Sequence, residues 1–329
     1  MAELWRASRW VRLHDWDWIN GPLIPRQEEW SRKRSLLVPS KFFYHVLRIA
    51  EIKQVRLEYF SGPIRALEYD VVCQQIFDFF ATPRPFGDFL REFPAHDYPR
   101  EQWENITARL RLLRETKMLV RDDDPEPPDC RAVFKAALFL FGIWQLEDEF
   151  APALEQVASL RPETIVEIGT GWGGSLFSLA QVAHPAAHLV SVDMSGGAGG
   201  GGYTREYAPR FRQFCFPEQQ LTCVLNDSTD PAVVAHVREA LDGRPVDVLF
   251  LDGAHTYDGV RRDFENYSPM VRAGGCVLFH DIAHPDDEEP SELMQVERFW
   301  REVTEGREHL EFIRDDPDGY HLGVGLLRM

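Results

Sequence analysis

Between residues 164 and 327 the chain alternates short apolar runs with longer amphipathic stretches. Apolar runs of strand length lie at Thr164–Ile168, His188–Asp193, Leu221–Leu225, Val246–Leu251 and Cys276–Phe279. Segments of helical length separate them, and this β-α-β-α order predicts a parallel sheet covered by helices on both faces. A helix near Leu293–Val303 follows, then two further runs, His309–Ile313 and His321–Leu327. Asp316-Pro317-Asp318-Gly319 between those two is a turn signal. The pattern therefore predicts an α/β fold: a doubly wound, mostly parallel sheet of seven strands ending in a hairpin. Ahead of it, Ala132–Leu160 reads as one or two apolar helices.

The N-terminal part follows another rhythm. Gln54–Tyr69 alternates around Ser61-Gly62-Pro63 and predicts a hairpin. Asp70–Ala81 places Val72, Ile76, Phe79 and Phe80 at helical spacing, and a short helix over Phe86–Phe93 follows. A longer helix, Arg100–Lys117, sets Trp103, Ile106, Leu110 and Leu113 on one face, and Met118-Leu119-Val120 closes it as a strand. Arg121–Cys130, RDDDPEPPDC, holds three prolines and five acidic residues and predicts a solvated linker. The expected organisation is an N-terminal α+β domain over 1–120, a linker over 121–131 and the main domain over 132–329. The early tryptophans Trp5, Trp10, Trp16 and Trp18 predict an intramolecular or homodimer contact.

Composition narrows the partners. The formal charge of −17, from 53 acidic and 36 basic residues, argues against nucleic acid and against an anionic membrane surface. The first ten residues contain no continuous apolar stretch, which argues against a signal peptide. The longest apolar run, Ala136–Trp144, is too short to span a bilayer. Five cysteines (Cys73, Cys130, Cys215, Cys223 and Cys276) follow no metal-site spacing. Such a set suggests buried thiols in a reducing, cytoplasmic setting.

Candidate chemistry begins where the first strand of the main sheet ends, in Glu167-Ile-Gly169-Thr-Gly171-Trp-Gly173-Gly174-Ser175. Glycines there let the backbone turn tightly and approach a ligand. Gly169, Gly171 and Gly174 also fit GxGxxG, so a dinucleotide is one candidate ligand. Asp193 closes the second strand, where a carboxylate can accept both hydroxyls of a ribose. The low-complexity patch Ser195–Gly202, SGGAGGGG, is too flexible for a core and predicts a mobile lid.

Two further motifs place polar side chains at strand ends beside the point where strand order reverses. One is Leu249-Phe-Leu-Asp252-Gly-Ala-His255-Thr-Tyr257-Asp258-Gly-Val-Arg261-Arg262-Asp263, and the other Gly274-Gly-Cys-Val-Leu-Phe-His280-Asp281-Ile. Tyr257 and Asp263 read as helix packing and surface, Arg261 and Arg262 as solvent-facing.

Together, EIGTGWGGS, the glycine-rich patch before Tyr203 and these two motifs resemble the bacterial O-methyltransferase family. That family includes the cephalosporin hydroxylase-like proteins and the sugar O-methyltransferases of macrolide and aminocoumarin pathways. The resemblance covers about Leu160 to Asp281, and it implies a class I fold that binds S-adenosylmethionine (SAM). It implies cofactor contacts from Glu167 at the methionine end, from Gly169, Gly171, Gly173 and Ser175 in the loop, and from Asp193 at the ribose. It also implies Asp227 and Ser228, after the third strand, at the adenine, although Asp and Ser there equally suit a helix cap.

The resemblance further implies His255 as general base, with Asp252, Asp281 and neighbouring His280 at a cation. Relatives often carry a carboxylate where this chain has His280, so the residues fit Mg2+ with extra water, a softer metal such as Mn2+, or no metal. His284 and the acidic run Asp286–Glu289 are further candidates for completing the site. The implied activity is methylation of a hydroxyl on a small natural-product-type acceptor, a sugar or phenol. A peptide substrate is an alternative, because the N-terminal pattern resembles the small winged-helix peptide-binding domains related to PqqD. A non-catalytic SAM-binding interaction protein is a third.

Overall fold

The computed structural model describes residues 4–7, 76, 78–97, 99–115, 119–121, 123, 129–140, 143–194, 202–205, 208–284, 294–314 and 322–329. Strands β1 (Leu4–Ala7), β2 (Arg84–Pro85) and β3 (Leu119–Arg121) form a small antiparallel sheet in the order β2-β1-β3. Helices α1 (Phe86–Glu92) and α2 (Arg100–Glu115) lie between β2 and β3 in the chain. Ile106, Leu110 and Leu113 of α2 are buried, three positions that share a face at helical spacing.

The apolar stretch after residue 129 forms two helices, α3 (Cys130–Leu140) and α4 (Glu147–Leu160). Their buried faces belong to one continuous core cluster that joins Ile76, Phe79, Phe80 and Phe89 to Phe134, Phe150, Phe177 and Phe250. The second large cluster fills the other face of the main sheet, around Val166, Val190, Leu249, Phe279 and Trp300. A sheet with apolar clusters on both faces needs strands that are apolar throughout, and this is why the strands read as unbroken runs in sequence.

The main sheet contains β4 (Thr164–Ile168), β5 (His188–Asp193), β6 (Gln220–Leu225), β7 (Val246–Leu251), β8 (Val271–His280), β9 (His309–Phe312) and β10 (Val324–Arg328). Its order is β6-β5-β4-β7-β8-β10-β9, with β10 antiparallel to both β8 and β9 and the other pairings parallel. This is the doubly wound sheet of seven strands expected from the sequence, with the topology of a class I methyltransferase. Helices α5 (Gly174–Val182), α6 (Ala208–Phe211), α7 (Pro231–Leu241), α8 (Tyr257–Tyr267) and α9 (Val296–Thr304) are the further described α-helices of this part, with short 3-10 turns at Arg212–Phe214 and Ser268–Met270. The chain leaves β4 toward β5 on one side and returns to pair β7 on the other, so a crevice opens at the C-terminal ends of β4 and β7.

Among the described residues no helix is long and apolar enough to cross a membrane. Cys130, Cys215 and Cys276 are free and buried, and Cys223 is free and half-buried. Several expectations fall outside the described residues: the Gln54–Tyr69 hairpin, most of Asp70–Ala81, Cys73, most of the acidic linker, and Trp10, Trp16 and Trp18. The same holds for residues 195–201 of the glycine patch, Asp286–Glu289 and the Asp316–Gly319 turn.

Candidate active site

Gly169 fixes the geometry at the end of β4. Its φ is 86°, and a Cβ there would stand 2.1 Å from the carbonyl oxygen of Asp252. Only glycine combines that left-handed backbone with so close an approach. The Asp252 amide in turn donates to the Ile168 carbonyl at 2.8 Å, so the ends of β4 and β7 are locked together. Gly171 differs, since it has φ 55° but a Cβ there would meet open space. Gly173, with φ 94°, leaves room for the Phe211 ring, which a Cβ would meet at 2.5 Å. Ser175 is buried near the start of α5.

Asp193, at the end of β5, holds the glycine loop from the other side. One carboxylate oxygen accepts from the Thr170 and Gly171 amides at 2.9 and 2.6 Å, and the other from the Met194 amide at 2.6 Å. Burial raises its pKa, with the three amides pulling the other way. Glu167 lies one turn of the chain deeper and is fully buried. Burial pushes its carboxyl up to about 8 against the favourable hydroxyls of Thr170 and Ser175. Thr170 Oγ1 donates to Glu167 Oε2 at 2.6 Å and also meets Ser191 Oγ at 2.7 Å, which in turn meets the Tyr203 hydroxyl at 3.0 Å. Glu167 Oε1 has no hydrogen-bond partner among the described residues. Thr170, Ser191 and Tyr203 carry no local sequence signal for this chain of contacts, which only the β4–β5 pairing assembles.

The two later motifs meet in one cluster. His255 Nε2 is 2.8 Å from Asp281 Oδ2 and 3.9 Å from Asp252 Oδ1. His280 Nδ1 is 3.1 Å from Asp252 Oδ1 and 3.2 Å from Asp281 Oδ2, so one ring nitrogen faces both carboxylates. His280 Nε2 is buried with no partner among the described residues. Desolvation works to lower both histidine pKa values, but the two carboxylates outweigh it and raise them, His280 most strongly. The same histidines hold Asp281 far below the usual carboxylate range, although burial opposes this. Asp281 has φ 59°, a left-handed conformation that aspartate tolerates better than most residues. Asp252 is held on its second oxygen by Gln145, whose Nε2 lies 2.5 Å from Oδ2.

Other candidates find other partners. Asp227 Oδ1 accepts from the amide and hydroxyl of Thr229, both at 2.8 Å, and forms a local turn. The cap of α7 is instead Asp230, which accepts from the Ala232 amide. Ser228 Oγ donates to Asp263 Oδ1 at 2.6 Å. Asp263 is thus buried, not on the surface as the sequence suggested, because it faces the β6 turn across α8. Tyr257 does pack, donating to Glu302 at 2.6 Å under the Arg298 guanidinium. His284 pairs with Glu297 on α9 at 3.6 Å and not with the cluster.

Asp252, His255 and Asp281 offer ligand atoms that all lie within 4.8 Å of one another, close enough to share one cation. The two carboxylate oxygens suit Mg2+ or Mn2+, and an added imidazole favours the softer Mn2+. The donor set therefore fits a divalent cation.

Once the fold and this cleft are in place, sequence similarity points the same way: residues 166–282 match the family model described as a methyltransferase domain. In sequence, the chain is 30% identical over 175 residues to the protein y4gI of Sinorhizobium fredii, covering 52% of this chain. It is 31% identical over 118 residues to a protein of Acanthamoeba polyphaga mimivirus, covering 36% of this chain. The chain spans 18% and 51% of the lengths of these two relatives. In structure, it is similar to the O-methyltransferase TomG of Streptomyces achromogenes, involved in tomaymycin synthesis and solved with SAM. That match has 20% identity and TM-score 0.38, covering 54% of this chain and 80% of the other. It is also similar to an O-methyltransferase of Bacillus cereus in complex with S-adenosylhomocysteine, at 14% identity and TM-score 0.41, covering 63% and 94%.

Proposed function

We propose that this protein is a SAM-dependent O-methyltransferase that methylates a hydroxyl of a small natural-product-type acceptor, a sugar or phenol. The observation that carries this reading is the meeting of Asp252, His255 and Asp281 at the strand ends beside the Asp193-tethered glycine loop. The loop would hold SAM, with Asp193 at its ribose, Glu167 toward its methionine end, and Asp227 and Ser228 near its adenine. A Cβ at Gly171 would meet nothing within 4 Å among the described residues.

Methyl transfer from a sulfonium needs an oxygen nucleophile aligned with the methyl group, and a neutral hydroxyl is a poor one. In this reading Asp252 and Asp281 would hold a Mg2+ or Mn2+ ion, with His280 beside them. Such a cation would lower the pKa of an acceptor hydroxyl and orient it. His255, whose side chain is 36% exposed and whose Nε2 is held against Asp281 at 2.8 Å, would serve as the general base for the acceptor proton. The 1–120 segment is assigned to substrate binding or dimerisation, with 121–131 as linker and 132–329 as the methyltransferase domain.

The test is titration of the protein with S-adenosylhomocysteine, then with Mg2+ and Mn2+, followed by assays of SAM turnover on phenolic and glycosidic acceptors. Cofactor binding, a separate cation heat lost in Asp252→Ala, and turnover with one acceptor class are the expected results. Binding without turnover on any hydroxylated acceptor would count against O-methylation.

A further inference from the structure

We infer that Gln145 is a positioning residue for Asp252, reaching the site from outside the matched methyltransferase segment to fix how that carboxylate meets a divalent cation. The inference rests on the proposed role of Asp252 as a cation ligand. Gln145 precedes Asp252 by 107 positions and lies before residues 166–282, yet its side-chain amide is 2.5 Å from Asp252 Oδ2. It is 2% exposed, so this contact occurs away from water.

The consequence follows from counting the contacts of each carboxylate oxygen. Oδ1 faces His280 Nδ1 at 3.1 Å, and Oδ2 faces Gln145. Two donors on two different oxygens fix the plane of the carboxylate, which a single contact would leave free to rotate. Groups that orient a ligand in this way commonly account for about 10–100-fold in metal affinity.

The backbone that carries Gln145 is itself held on three sides. Trp144 packs against Trp172 of the glycine loop, with ring centroids 5.4 Å apart. Leu146, 1% exposed, packs with Leu322. Glu149, in the first turn of α4, is fully buried and its Oε1 accepts from the amides of Arg314 and Leu322 at 3.1 and 3.2 Å. A short segment pinned at Trp144, Leu146 and Glu149 gives the Gln145 amide a rigid base, as a residue that orients a ligand requires.

The test compares Mn2+ binding to the full-length wild type and to Gln145→Met, both saturated with S-adenosylhomocysteine. Methionine keeps the length and volume of glutamine and removes the donor. A second variant, Gln145→Asn, keeps the amide but withdraws it by one methylene, and serves if the methionine variant fails to fold. The expected result is a Mn2+ dissociation constant raised about 10–100-fold, with S-adenosylhomocysteine affinity and melting temperature unchanged. A residue that merely fills space would leave Mn2+ affinity alone, or move all three quantities together. Unchanged Mn2+ affinity in both folded variants overturns the inference while the proposed function stands. Absence of Mn2+ binding in the wild type overturns the cation role itself, and this inference with it.

Discussion

Asp281 and His255 touch at 2.8 Å, and this contact joins the end of β8 to the segment that leads from β7 into α8. Asp281 makes it from a left-handed backbone conformation, φ 59°, so its charge and its strain can be tested separately. Asparagine tolerates that conformation and removes the charge, whereas alanine removes the charge and adds strain. Both Asp281→Asn and Asp281→Ala are expected to lose Mn2+ binding. The alanine variant should also be less stable than the asparagine variant by about 1 kcal/mol in urea titrations. Equal stability of the two would count against the backbone assignment, and retained Mn2+ binding against the ligand role.

The two loop glycines should fail in different ways. Gly169→Ala drives a methyl group into the Asp252 carbonyl, so the β4–β7 contact must open and the folded state is lost or weakened by several kcal/mol, about the range of the largest single-site effects. Gly171→Ala meets nothing within 4 Å among the described residues and should cost only about 1 kcal/mol for its positive φ. Its main effect should be on cofactor affinity, because the open space is where the ligand would lie. Thermal melts and S-adenosylhomocysteine titrations of the two variants separate these outcomes.

Asp263 gives a pH signature. It is 1% exposed, and burial raises its pKa from 3.8 to about 6 despite the Ser228 hydroxyl. A carboxyl whose folded pKa exceeds its unfolded value stabilises the fold fully below the unfolded pKa, and that contribution is lost as pH rises through the folded one. At pH 8 the buried charge therefore costs up to about 3 kcal/mol. Asp263→Asn keeps an acceptor for Ser228 and should melt higher than wild type at pH 8, with the gain shrinking toward pH 4. Calorimetric melts at the two pH values check this, and a pH-independent difference would contradict it.

The pattern of the main sheet was legible because both its faces are buried. Thr164–Ile168, His188–Asp193 and Val246–Leu251 appear in the structure with the boundaries read from sequence. β8 starts earlier than expected, at Val271, because a half-exposed and exposed stretch precedes its apolar core. Asp252, His255, His280 and Asp281 were legible as motifs at strand ends, and the structure brings all four together. Gln145 and Glu149 were not, since their partners lie more than 100 residues away and no local spacing marks them. Asp263 lies three positions after Val260 and four before Tyr267 on the buried face of α8, so that apolar spacing was the signal for its burial beside Ser228.

Calorimetric titration with S-adenosylhomocysteine decides whether the Asp193-tethered loop binds the cofactor. Saturable one-to-one binding in the micromolar range, on the order of −8 kcal/mol, is expected and should be lost in Asp193→Ala. Folded wild-type protein that takes up no S-adenosylhomocysteine would overturn the SAM-dependent reading.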